Sequence, residues 1–160
     1  MSTTTNVTLP DVHVGDELPV LTYDVTSTTI VLGALASRDW RPMHHDYHFA
    51  TERNGVRDIF MNTPNQAAWF ERYLTDWTGP RGRLARMKFR MHGSVFPGDT
   101  MELRGVVSNV ATDDTGCGWV ELDVTLSADG RIATTCAARI AVPATPDDNP
   151  WSRRGDAWRP

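Results

Sequence analysis

At 160 residues, with 40% apolar and 22% charged side chains, the chain has the make-up of one globular domain around one core. No apolar run approaches the ~18 residues that cross a bilayer, and a net charge of −4 argues against general nucleic-acid binding. The opening residues, MSTTTNVTLPDVHVGDE, show neither the basic start nor the apolar stretch of a secretory signal, so a cytoplasmic location is expected.

Along the chain, residues 15–26 mix apolar and polar side chains in near alternation and read as an edge strand, with Pro19 at its irregular start. A helix follows, capped by Ser27 or Thr28, with Ile30, Val31, Ala34 and Leu35 as its apolar stripe and an end at about Ser37. Residues 48–54 read as a helical turn closed by Asn54-Gly55, with Asp46 available to cap it. The best-marked element is a helix from Thr63: Thr63 is the expected N-cap, Pro64 takes the first helical position and Gln66 completes a capping box. Phe70, Tyr73 and Trp77 recur at helical spacing as packing residues until Gly79-Pro80 stops the run.

After Pro80 the period falls to two. Met87, Phe89 and Met91 alternate with Arg86, Lys88 and Arg90, and three further strands are expected at 101–110, 118–127 and 131–142. Pro97-Gly98-Asp99 and Asp129-Gly130 mark turns, and the whole reads as an antiparallel meander. Helices first and strands afterwards give an α+β domain over residues 1–142, with a sheet wrapped on one long helix. Residues 143–160, dense in Pro, Asp and Arg, read as a tail whose Trp151 and Trp158 seek burial on a partner or on their own domain. Cys117 and Cys136 lack CxxC spacing, so neither a disulfide framework nor a metal site is expected.

The residues with chemistry to offer cluster in RDWRPMHHD, positions 38–46. Pro42 forbids a regular helix through this stretch, which leaves Asp39 and His44 free to turn toward one pocket. A carboxylate and an imidazole converging on one water supply a base and an acid whose pKa values the surroundings can tune. Asp and His in a loop also serve as turn caps and surface residues. His45 reads as a structural hydrogen-bonder. RGRLARMKFR, 81–90, holds five basic residues in ten, either a phosphate-attracting patch or a solvated strand face.

Asp39-Trp40-Arg41-Pro42-Met43-His44 resembles the D-x-N-P-x-H signature of the MaoC-like hot-dog hydratases, the (R)-specific enoyl-CoA hydratases and dehydratases. The resemblance extends to a preceding helix, a capped central helix and Val95-Phe96-Pro97-Gly98-Asp99-Thr100, over roughly residues 15–142. It implies a hot-dog fold, pairing of two such units as a homodimer or as a heteromer with a second MaoC-like subunit, and Asp39 and His44 as the catalytic dyad on the water added to an enoyl thioester. Arg41 stands where the family has Asn, and either pairs with Asp39 and favours its charged form or spoils the family geometry. Asn62 aligns with a family glycine whose backbone N–H holds the thioester oxygen, or merely supports the helix cap. Arg81, Arg83 and Arg86 are candidates for the phosphates of coenzyme A, which enters as part of the acyl-CoA substrate; no separate cofactor is implied.

A narrower resemblance rests on Arg38-Asp39, His44-His45-Asp46, Asp58-Ile59-Phe60, Arg72-Tyr73 and Thr75-Asp76-Trp77-x-Gly79-Pro80. It points to the small MaoC-like subunit of bacterial hydratases of steroid side-chain degradation, and hence to a bulky enoyl-CoA. A hot-dog thioesterase and a non-catalytic partner subunit remain as alternatives.

Overall fold

The computed structural model describes residues 6–160. Its main elements are β1 (Leu21–Asp24), α1 (Ser27–Ala36), α2 (Thr63–Thr78), β2 (Arg83–Met91), β3 (Thr100–Thr112), β4 (Gly118–Ala128) and β5 (Arg131–Val142). All pairings are antiparallel and the sheet order is β1-β3-β4-β5-β2. The fold is therefore α+β, one five-stranded sheet curled around one long helix. No helix among the described residues is long and apolar enough to cross a membrane.

Helix α2 forms the axis of the core. Phe70, Tyr73 and Leu74 are buried on it, against Leu103, Val107, Leu122, Val124 and Ile140 from the middle strands. Those strands bury alternate residues over most of their length, as a sheet with one covered face requires. The helix starts one residue earlier than its sequence suggests: Asn62 is the N-cap, its side chain accepting from Asn65 N–H at 3.2 Å, and Pro64 falls inside the first turn. Gln66 does not close a capping box, because its side chain is buried against Thr134.

Helix α1 is capped by Thr26 in a reciprocal box with Thr29. Ile30 and Ala34 turn inward, whereas Leu35 stays exposed. The inner face lies close to α2 because residue 33 is glycine: a Cβ there would sit 1.9 Å from Asn65 Nδ2, which instead donates to Thr29 carbonyl.

The expected meander holds for β3, β4 and β5 only. Strand β2 pairs with β5 at the far edge, so the 92–99 segment must cross from that edge, past β5 and β4, to β3 beside the opposite edge strand. On the way Val95 carbonyl accepts from Met61 N–H at 2.9 Å, just ahead of α2. Gly98, at φ +86°, makes the turn into β3, and the buried Asp99 binds Phe96 N–H at 2.9 Å and pairs with Arg57. Asp129 and Gly130, both left-handed, form the tight β4–β5 hairpin. The long edge strand expected over 15–26 shortens to β1, preceded by an isolated bridge from Glu17 to Val106.

The tail lies on its own domain. Trp158 packs on the buried Trp119, ring centroids 5.1 Å apart, and Arg83 stacks 3.6 Å from the Trp158 centroid. Arg153 donates to Asp148 at 2.9 Å and to the Thr115 and Gly116 carbonyls. Cys117 and Cys136 are buried free thiols, and burial pushes Cys136 up to about 11.

Candidate active site

The site is built from the end of α1, the loop behind it and the start of α2. Helix α1 ends with Arg38 in the left-handed region at φ +55°, its N–H bonded to Leu35 carbonyl and that of Asp39 to Ala34 carbonyl. This paired 5→2 and 6→1 closure turns the chain sharply and brings Asp39 toward α2. Pro42 then opens a short 3-10 turn, Pro42–His44, that buries His44. Asp46 caps the following π-helical turn, Phe49–Arg53, through Phe49 N–H at 3.0 Å.

The two candidate side chains converge. His44 Nε2 lies 3.4 Å from Asp39 Oδ2, with the side chains 4% and 9% exposed. His44 Nδ1 is 2.7 Å from Phe60 carbonyl, which can only accept, so Nδ1 carries the hydrogen and Nε2 of a neutral ring is an acceptor. Phe60 also meets the imidazole edge-on at 4.9 Å. Two acceptors, Nε2 and Oδ2, thus stand side by side, and a water that donates to both satisfies them.

Asp39 is held from several sides. Arg41 donates to Oδ1 at 2.9 Å and to Oδ2 at 3.1 Å, and Asn62 Nδ2 donates to Oδ2 at 3.0 Å and to Ser37 Oγ at 2.9 Å. The Arg41 hydrogen bonds, then that of Asn62, keep the carboxyl well below its ordinary 3.8 although burial opposes them. Asp39 is therefore a fixed anion. Arg41 itself stays largely exposed.

A cavity of about 390 Å³ opens beside His44, lined by Arg41 and His44, by Phe60 and Asn62, by Gln66 and by the 91–94 segment; Asp39 is not part of its lining. Its shape depends on the crossover: Met91, His92, Gly93 and Ser94 reach the site only because the chain crosses the sheet end here. His92, exposed as its strand position suggests, belongs to this lining and has Nε2 3.2 Å from Thr135 Oγ1. Asn62 caps α2, the alternative its sequence left open, and it also grips Asp39, which its sequence did not reveal. Its backbone N–H makes no hydrogen bond among the described residues.

The expected phosphate-binding arginines are placed differently. Arg81 donates to the Pro146 carbonyl at 2.7 Å and to that of Asp148, and Arg83 to the Pro150 and Arg153 carbonyls at 3.1 and 3.0 Å. Both are engaged by the tail, a long-range contact that local spacing does not encode. Arg86 is exposed on β2, five residues before Met91 and so about 16 Å from the cavity along the strand. His45 is exposed, with no part in the cavity.

Residues 13–128 match the family model described as "MaoC like domain". The chain belongs to the MaoC-like family. Among curated proteins, this MaoC-like chain is 36% identical over 97 residues to the 3-oxo-4,17-pregnadiene-20-carboxyl-CoA hydratase beta subunit of Mycobacterium tuberculosis, covering 61% of this chain and 74% of the relative. Among solved structures, a chain of the ChsH1-ChsH2 complex of M. tuberculosis matches with TM-score 0.73 and 28% identity, over 81% of this chain and 98% of that one. The (R)-hydratase of A. caviae involved in PHA biosynthesis has the same TM-score, 0.73, at 20% identity, over 82% and 98% of the two chains, and shares the hot-dog fold.

Proposed function

We propose that this MaoC-like chain is an enoyl-CoA hydratase subunit that adds water across the 2,3 double bond of a bulky, steroid-derived enoyl-CoA, working with a second MaoC-like subunit. The observation that carries the reading is the pair of acceptors, His44 Nε2 and Asp39 Oδ2, 3.4 Å apart beside the cavity. A water donating to both has its oxygen lone pairs directed away from them, toward an alkene bound in the cavity. As its oxygen bonds to C3, His44 accepts a water proton and the alkene electrons move toward the thioester carbonyl. The proton then returns to C2, so the elements of one water are added and nothing is oxidised. Asp39 stays ionised and steadies the imidazolium formed on the way. Asn62 N–H, at the start of α2, suits the oxygen on which negative charge develops. No separate cofactor enters this scheme.

Substrate class and partner rest on the likeness to a steroid-CoA hydratase beta subunit and to a chain of a two-component complex. Arg41 favours a second reading, a non-catalytic subunit, because its guanidinium engages both oxygens of Asp39.

The test is loss of the conjugated enoyl-thioester absorbance with crotonyl-CoA and with a steroid enoyl-CoA, for the chain alone and reconstituted with a second MaoC-like subunit. Folded Asp39→Asn and His44→Ala variants should lose roughly 100-fold or more in turnover. Undiminished turnover of the complex in both variants would assign the chemistry to the partner, and release of free coenzyme A thiol in place of hydration would mark a thioesterase.

A further inference from the structure

The cavity contains a polar group that the hydration scheme leaves unused. Gln66, on the second turn of α2, is 1% exposed and lines the cavity beside Asn62 and His44. Thr134 Oγ1 of β5 donates to Gln66 Oε1 at 2.6 Å, which holds the amide in place. Thr134 is itself fully buried and also reaches Met91 Sδ at 3.4 Å. The other end of the amide, Nε2, is buried and has no hydrogen-bond partner. Leaving an amide N–H unpaired in an apolar interior is costly, and a residue held that way while lining a cavity has a donor ready for whatever enters.

The helix geometry indicates what that donor meets. Gln66 is four residues beyond Asn62, hence on the same face and one turn on. Side chains on a helix lean toward its N-terminus, so the Gln66 amide reaches back over the turn that begins at Asn62. Asn62 and Gln66 both line the cavity at the start of α2, where the helix dipole is positive.

We propose that Gln66 Nε2 is a second hydrogen-bond donor to the thioester carbonyl oxygen of the substrate, sharing with Asn62 N–H the negative charge that develops there. This rests on the hydratase reading above and adds a residue to it. Thr134 is then a positioning residue, since its hydroxyl keeps the donor end of the amide toward the cavity. Because the donor is held before substrate arrives, its effect falls on the transition state more than on the bound ground state.

The experiment uses whichever assembly hydrates enoyl-CoA and compares wild type with Gln66→Met and Thr134→Val. Gln66→Met keeps the side-chain length and removes the orphaned donor, together with the acceptor of the Thr134 hydroxyl. Its kcat should fall about 100-fold with KM little changed, and Thr134→Val should show a smaller loss of the same kind. A spectroscopic arm separates this from packing damage. In an Asp39→Asn background, where substrate binds without turning over, a bound conjugated enoyl-thioester should show a red-shifted absorbance that shrinks when Gln66→Met is added. Active wild type with undiminished kcat and an unchanged red shift in Gln66→Met would overturn the assignment and leave the hydratase reading standing. A wild-type assembly that never hydrates an enoyl-CoA would overturn both.

Discussion

At the scale of single residues, the site is governed by how one carboxylate is held. Asp39 is an anion because Arg41 and Asn62 donate to it, and its carboxyl titrates well below 3.8 for that reason. A depressed folded-state value means the unfolded chain binds the proton first as the pH falls. Asp39 thus contributes stability in full above about pH 4, and loses it as the pH drops through the folded value. Removing the strongest donor should narrow that range: Arg41→Ala should unfold at a higher pH than wild type in an acid titration followed by tryptophan fluorescence. Coincident acid transitions would mean that Arg41 does not hold the carboxylate. Asp113 makes a useful internal comparison. Burial alone would raise it, but Thr115, Trp119 and the Cys117 backbone bind it and keep it low, so its contribution should be the same in both proteins.

The elements deliver these residues through their ends. Arg38 terminates α1 in a left-handed conformation that an L side chain adopts at a cost of roughly 1 kcal/mol. Glycine would relieve that strain without altering the two closing hydrogen bonds, both of which are backbone to backbone. Arg38→Gly should therefore raise stability by about 1 kcal/mol in urea unfolding while the site still forms. A destabilised variant would show that the Arg38 side chain contributes more than its backbone strain removes. Element existence was legible from local patterning, as with the Thr63–Thr78 helix and the β5 boundaries, because apolar periodicity is a local property. Caps were off by a residue or two. Thr26 and Asn62, not Ser27 or Thr28 and Thr63, satisfy the first N–H groups, and each choice depends on backbone angles that residue type does not determine.

For the whole molecule, the tail and the cavity occupy opposite ends of β2. Arg83 opens the strand under Trp158, and Met91 closes it at the cavity wall, about 26 Å away at 3.3 Å per residue. Deleting residues 144–160 would uncover Trp119 and free Arg81 and Arg83 of their carbonyl partners. The deletion should lower Tm by several degrees, as loss of one large aromatic contact of about 1–3 kcal/mol implies, while kcat of the active assembly stays within about twofold. A large fall in kcat at a temperature where the truncated protein remains folded would tie the tail to the site.

Local patterning is enough to give the α+β class, the position of the long helix and the strands, and the kinship carried by Asp39, Pro42 and His44. These are local spacings, and each element can express them before it meets its neighbours. Long-range packing is what sets β2 beyond β5, brings Arg81 and Arg83 onto the tail, and puts Gln66 in one cavity with Asn62 and His44. Strand order, tail docking and the burial of Gln66 against Thr134, 68 residues on, arise from contacts between distant parts of the chain. Such contacts leave no mark on the spacing of neighbouring residues, and they exist only once the sheet has closed around the helix.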